Sequence, residues 1–168
     1  TRNLHAKLTP RKIWTTAQLN AIGLDHRSIN RVVEERSLHR VKRGVYVQTP
    51  ADDRLLLRAL ARNRPSLVYS DPTAAHLYGY GPMEWPTRGR VAKGASTMGN
   101  DLLTLSETRV EVFRAIGDLR VTTPAATAAA MPAMSDGQII AFLAREYRGI
   151  GGHHLRSRHL KKKKKTDR

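Results

Sequence analysis

Apolar residues between Thr15 and Gln48 change their spacing partway along, and the change predicts a sequence of elements. Leu19, Ile22, Leu24, Ile29 and Val32 fall at helical intervals, placing one apolar stripe on each of two short helices that can share a small core. Thr15 or Thr16 can cap the first helix and Asp25 the second, each accepting from amides that the first turn leaves free. Gly23 suits the corner between them. After Ser37 the period becomes two. Leu38, Arg40 and Lys42 point one way and His39, Val41 and Arg43 the other, before Val45-Tyr46-Val47 returns past Gly44. Two helices followed by a basic hairpin predict a winged helix-turn-helix over residues 15–50. Ahead of it, residues 1–14 are basic with little periodicity and are expected to form an arm, either lying along a DNA groove or solvated, with Trp14 as a core plug beside the first helix.

Downstream, Asp52 or Asp53 can cap a helix running to about Asn63, its stripe formed by Leu56, Ala59 and Leu60 and widened by Leu55 and Leu57. A short strand is expected over Ser66–Tyr69. Ser70-Asp71-Pro72-Thr73 then starts a helix that stops at Gly79, with Ser70 or Asp71 as cap. Val91–Lys93, Leu102–Leu105 and Arg109–Phe113 favour strands between glycine and serine breaks, predicting a small, largely antiparallel sheet to which Leu119–Thr122 adds a strand. Pro124 opens an alanine-rich helix. Ser135-Asp136-Gly137-Gln138 is a capping-box pattern ahead of an amphipathic helix with Ile139, Ile140, Phe142, Leu143 and Tyr147. The predicted fold class is α+β: a winged helix-turn-helix, a small mixed α/β domain over residues 51–152, and a basic tail over 153–168.

Charge narrows the class of partner. The 168 residues carry a formal net charge of +16, and the sequence pI is about 11.1, a balance that favours polyanions. Aromatic residues make up 5% against 40% hydrophobic residues overall, so the core should be aliphatic. The absence of cysteine excludes disulfides and thiolate zinc sites. No apolar run reaches the roughly 20 residues of a membrane span, and the first residues lack the apolar centre of a secretory signal, so a cytoplasmic protein is expected.

In a winged domain the second helix lies in the major groove and offers its early residues to base edges. That role falls to His26, Arg27, Ser28, Asn30 and Arg31. Arginine reads guanine and asparagine reads adenine, each through two hydrogen bonds, whereas Ser28 suits a phosphate or the first turn itself. The hairpin supplies Arg40, Lys42 and Arg43 around Gly44 for backbone or minor-groove contact, with Arg43 at the tip the foremost candidate. Arg11, Lys12, Lys161, Lys162 and Lys163 are candidates for non-specific phosphate contacts. The competing account is a solvated basic face and a solvated lysine run without a partner. His153, His154 and His159 lack the cysteine or carboxylate companions of a metal site. Phosphate-loop and nucleophile-elbow motifs are absent, and Asp101, Glu107 and Glu111 read as surface carboxylates rather than a nuclease centre. No catalytic residue, cofactor or metal is expected.

The stretch TTAQLNAIGLDHRSINRVVEERSLHRVKRGVYV, above all its ending LHRVKRGVY, resembles the AbiEi family of antitoxin-type transcriptional regulators. SLVYSDPTAAHLYGY is similar to that family's strand-then-helix segment, and LRVTTPAATAAAM to the segment after its sheet. The resemblance covers most of Thr15–Tyr147, with Pro86–Asp118 matched by pattern alone. It implies a winged domain that binds operator DNA, often repressing its own operon. It also implies a C-terminal domain that counters a nucleotidyltransferase-like toxin, as the antitoxin of a type IV pair. Relatives commonly carry an arginine shortly after the proline of the third segment, where this chain has Ala125 and Ala126. The expected function is sequence-specific binding of duplex DNA and transcriptional repression. The alternative is a small basic RNA- or ribosome-associated protein, which would more often display exposed aromatics for base stacking.

Overall fold

A computed structural model describes residues 4, 7–8, 11–108, 112–131 and 134–148. Among them are six helices and two sheets in a mixed α+β arrangement. The tail 153–168, including Lys161, Lys162 and Lys163, lies outside the described residues, as do Arg109–Glu111.

Local signals account for where the early elements begin. Helix α1 (Thr16–Ala21) opens on a capping box: Thr15 Oγ1 accepts from the Gln18 amide at 3.2 Å while Gln18 Oε1 accepts from the Thr15 amide at 3.0 Å. Gly23, at φ +94°, turns the chain into helix α2 (His26–Glu34), capped by Asp25. Strand β2 (Leu38–Lys42) and strand β3 (Val45–Gln48) form the expected hairpin, with Gly44 at φ +75° in its turn. A third strand, β1 (Ile13–Thr15), pairs with the far side of β3, aligning Ile13 with Val47 and Thr15 with Val45, so the sheet order is β1-β3-β2. Part of the predicted arm is therefore structural. Ile13–Thr15 is an edge strand, Leu8 is buried, and Leu4 packs on the same small core.

Strand β3 is covered on both faces, and this determines how the molecule is built. Tyr46 faces one core with Leu8, Trp14, Leu19, Ile29, Val32 and Leu38. Val45 and Val47 face a larger core with Val41, Leu55, Leu57, Leu60, Tyr69 and Val121. Helix α3 (Asp53–Ala61), capped by Asp52, supplies the leucines that join the hairpin to the second sheet. A division between residues 50 and 51 thus cuts through one continuous core.

The second sheet has five strands: β4 (Val68–Tyr69), β5 (Thr87–Ala92), β6 (Leu103–Thr108), β7 (Phe113–Ile116) and β8 (Leu119–Thr122), ordered β6-β5-β4-β8-β7. It is mixed rather than largely antiparallel. Strands β4/β5 and β7/β8 are antiparallel, while β5/β6 and β4/β8 are parallel. The loop 93–102 makes the β5/β6 arrangement possible. Its ten residues reach roughly 33–36 Å when extended, more than the ~20 Å return along a six-residue strand. Alternation along a strand is the same for either direction of pairing, so the sequence pattern carried no information on this point.

Helix α4 (Asp71–Leu77) begins after Ser70 but without the expected side-chain cap; Ser70 Oγ instead donates to Asp71 Oδ2 at 2.7 Å, and Asp71 adopts φ +55°. Helix α5 (Pro124–Ala129) and helix α6 (Asp136–Glu146) complete the described chain, the latter with the capping box of Ser135 and Gln138. Phe142 anchors α6 edge-on against Tyr78 and Tyr80, at centroid distances of 5.5 and 4.6 Å. Ile140, assigned to the apolar face by its spacing, is 67% exposed.

Candidate nucleic-acid interface

The exposed side of α2 follows from how its other side is held. Ile29 and Val32 are buried, so residues at the opposite helical angles face outward. His26, Arg27, Asn30 and Arg31 are all exposed. Ser28 is half-buried, and its amide donates to Asp25 Oδ1 at 2.8 Å; that hydrogen bond is the foremost cause holding the Asp25 carboxyl below the ordinary carboxylate range. Ser28 therefore belongs to the helix start more than to the outward face. His26 Nε2 and Asn30 Nδ2 lie 3.3 Å apart, one turn along the helix. With the ring proton on Nδ1, the Asn30 amide donates to Nε2, and its carbonyl oxygen and second N–H remain available.

On the hairpin, strict alternation fails. Arg40 is paired with Tyr46 and Lys42 with Val45, leaving Val41 as the extra residue of a bulge. Val41 turns into the larger core, and Arg40 and Arg43 are both exposed. Lys42 goes elsewhere. Its ammonium lies on the carbonyls that end α3, donating to Leu60 O at 3.0 Å and to Arg62 O. Burial, with the Arg64 charge adding to it, lowers its pKa to about 8. Lys42, expected with Arg40 and Arg43 as a backbone contact of the hairpin, instead fastens the hairpin to α3, because the bulge redirects the strand just before it.

At the N-terminal side, Arg11 and Lys12 are exposed but their backbone is ordered by the fold. The Arg11 carbonyl accepts from Trp14 Nε1 at 2.8 Å, its guanidinium lies 5.9 Å from the Trp14 ring centroid, and the Lys12 carbonyl accepts from the Gln48 amide at 2.8 Å. The structure thus holds three basic groups on this unit: Arg11 and Lys12 beside β1, His26 to Arg31 on α2, and Arg40 with Arg43 on the hairpin.

Among the described residues the ion pairs are Arg58–Asp118 at 2.6 Å and Arg114–Glu146 at 3.2 Å, both downstream of residue 50. Among the described residues, Arg27, Arg31, Arg40 and Arg43 have no carboxylate within ion-pair distance. Residues 11–50 contain eight lysines and arginines against three acids, Asp25, Glu34 and Glu35, the last two at the far end of α2. This stretch therefore carries a clear excess of basic over acidic side chains.

An opening of about 380 Å³ that the sequence did not signal lies beside β5 and β6, where Asp71, Glu84, Trp85, Arg88, Thr104 and Ser106 meet. Its charges are mixed in sign, and its segments are brought together by the antiparallel β4/β5 pairing, which sets Asp71 beside Arg88, and by the parallel β5/β6 pairing, which adds Thr104 and Ser106. Among the described residues no group of three or more His, Cys, Asp or Glu side chains is placed to hold a metal ion, and no helix is long and apolar enough to cross a membrane.

No family model matches the chain, and no curated protein matches it.

Proposed function

We propose that residues 13–48 form a winged helix-turn-helix and that the protein is a sequence-specific duplex-DNA-binding regulator acting as a repressor, in the manner of the AbiEi regulators its motifs resemble. Helix α2 enters the major groove, with Arg27, Asn30 and Arg31 toward base edges and His26 orienting Asn30. The β2–β3 hairpin is the wing, and Arg43 and Arg40 meet the phosphate backbone. The observation that carries this reading is a capped helix whose outward face presents Arg27, Arg31 and the His26–Asn30 pair, beside a hairpin with an exposed arginine at its tip, these arginines forming no ion pair among the described residues. Activity as the antitoxin of a nucleotidyltransferase-like toxin is the further role implied by the motifs. A gene for such an enzyme beside this one is the observation that would favour it.

The test is binding to promoter duplex, random duplex, single strands and structured RNA across a salt series. Arg27→Ala and Asn30→Ala should relax base preference, each costing about 1–3 kcal/mol if the contact is bidentate. Arg43→Ala should weaken all duplexes alike and make the salt slope shallower by roughly one phosphate contact. Equal affinity for promoter and random duplex would sink the operator-reading function, and tighter binding to structured RNA would assign the surface to RNA instead.

A further inference from the structure

The bulge in β2 gives Val41 no partner in the hairpin ladder, and a polar group from the second sheet fills the gap. Asn100 Nδ2 donates to the Val41 carbonyl at 2.9 Å, although the two residues are far apart in sequence. The turn that carries Asn100 is closely specified. Asn100 Oδ1 accepts from the Leu102 amide at 2.8 Å, and its backbone exchanges hydrogen bonds with Leu103, at 3.0 and 3.3 Å. Gly99 sits so close to the Leu103 carbonyl that a Cβ there would lie 2.0 Å from the oxygen. Arg64 holds the same loop, donating to the Met98 carbonyl at 2.6 Å.

Other contacts complete the hold on the hairpin. Lys42, the next residue after Val41, is fastened to the end of α3, and the Gly44 carbonyl accepts from the Thr16 amide of α1 at 3.2 Å. The hairpin turn is thus tied to the helices on one side and to α3 and the second sheet on the other. Arg43 is the residue between these ties, and its own side chain is exposed.

We infer that Asn100 is a positioning residue for the wing: from the second sheet it satisfies the carbonyl exposed by the bulge and so sets the angle at which Arg43 meets the DNA backbone. The inference rests on the duplex-binding reading above for its functional half. Its structural half, that the downstream unit holds the hairpin turn in place, stands without DNA. A bulge bends and twists its strand, so an unsupported bulge permits a range of tip orientations. A hydrogen bond to its odd carbonyl selects one of them before any ligand arrives, which reduces the ordering cost on binding.

Asn100→Ser in the full chain is the test, because serine adds no charge and can still accept from the Leu102 amide but is too short to reach Val41. Hydrogen exchange without DNA should quicken about three- to tenfold at residues 41–45, the factor of one net hydrogen bond, while the β4 and β5 amides keep their rates. Affinity for duplex should fall by a similar factor with sequence preference retained, and the salt slope should become shallower. Added to Arg43→Ala, Asn100→Ser should cost little further affinity, since it acts through that arginine. Gly99→Ala, which displaces the same turn without touching Asn100, should reproduce the exchange pattern. Unchanged exchange at 41–45 would overturn the inference, and so would additive losses in the double variant. If the parent chain shows no duplex binding, the duplex-binding reading fails on its own, and the exchange measurement still decides whether Asn100 holds the turn.

Discussion

If the hairpin and the second sheet share one core, a cavity cut downstream must destabilise the N-terminal helices as well. Leu60 is 0% exposed on α3, packed in the cluster that contains Val41, Val45 and Val47 on one side and Tyr69 and Val121 on the other. Leu60→Ala removes three carbons, about 2.4 kcal/mol at ~0.8 kcal/mol for each buried methylene. The unfilled space raises the loss to about 3–4 kcal/mol, because α3 is held by contacts on both sides and cannot collapse into the gap. With a urea dependence of about 2 kcal/mol per molar, the midpoint should fall by roughly 1.5–2 M. Trp14 is the informative probe: it is 3% exposed and belongs to the small core of α1 and α2, which Leu60 does not touch. In a Trp85→Phe background, which removes the emission of the 37% exposed Trp85, Trp14 fluorescence and far-ultraviolet circular dichroism should shift together. A Trp14 midpoint that stayed at its parent value while the dichroism midpoint fell would refute the shared core and restore two independent domains.

Three further outcomes follow from single side chains. Lys42 releases its proton near pH 8 in the folded chain and near its ordinary value of 10.5 when unfolded, so between those values the unfolded chain binds more protons and stability rises with pH. The stability of the parent relative to Lys42→Met should be flat below about pH 8 and increase from there toward pH 10, as read by urea melts at three pH values; a flat difference throughout would contradict the burial of the ammonium. Tyr69→Phe removes the buried hydroxyl's hydrogen bond to the Leu57 carbonyl and should cost about 1 kcal/mol in the same melts, with no change in duplex affinity. Asp25→Asn keeps a good cap on α2 but deletes a negative charge beside Arg27 and Arg31, so duplex binding at low salt should tighten while the melting temperature holds; weaker binding would place α2 away from the phosphates.

Sequence alone located the helix starts, because those signals are local, whereas it missed β1 and placed the start of β5 at Val91 rather than Thr87. A cap reads an amide two or three residues away, so Asp25 and the Ser135–Gln138 box were legible as spacing, and the caps of α1 and α3 were narrowed to Thr15 or Thr16 and to Asp52 or Asp53. The apolar stripe of α2 and the glycine of the hairpin were legible for the same reason, and with them the outward positions of Arg27, Asn30, Arg31 and Arg43. The formal charge of +16 is likewise read from the sequence alone.

Tertiary structure decided what depends on residues distant in the chain. That Leu8 and Ile13 belong to the fold rather than to an arm is set by cores and a strand partner that lie farther along. The parallel pairing of β5 with β6 rests on a loop path that alternation cannot encode. The bulge at Val41 is the sharpest case: one extra residue turns a valine inward, sends Lys42 to the end of α3, leaves Arg40 and Arg43 both exposed, and frees a carbonyl that Asn100 meets. A period of two determines which face a side chain takes only while the ladder is unbroken, and the break is set by what packs behind the strand.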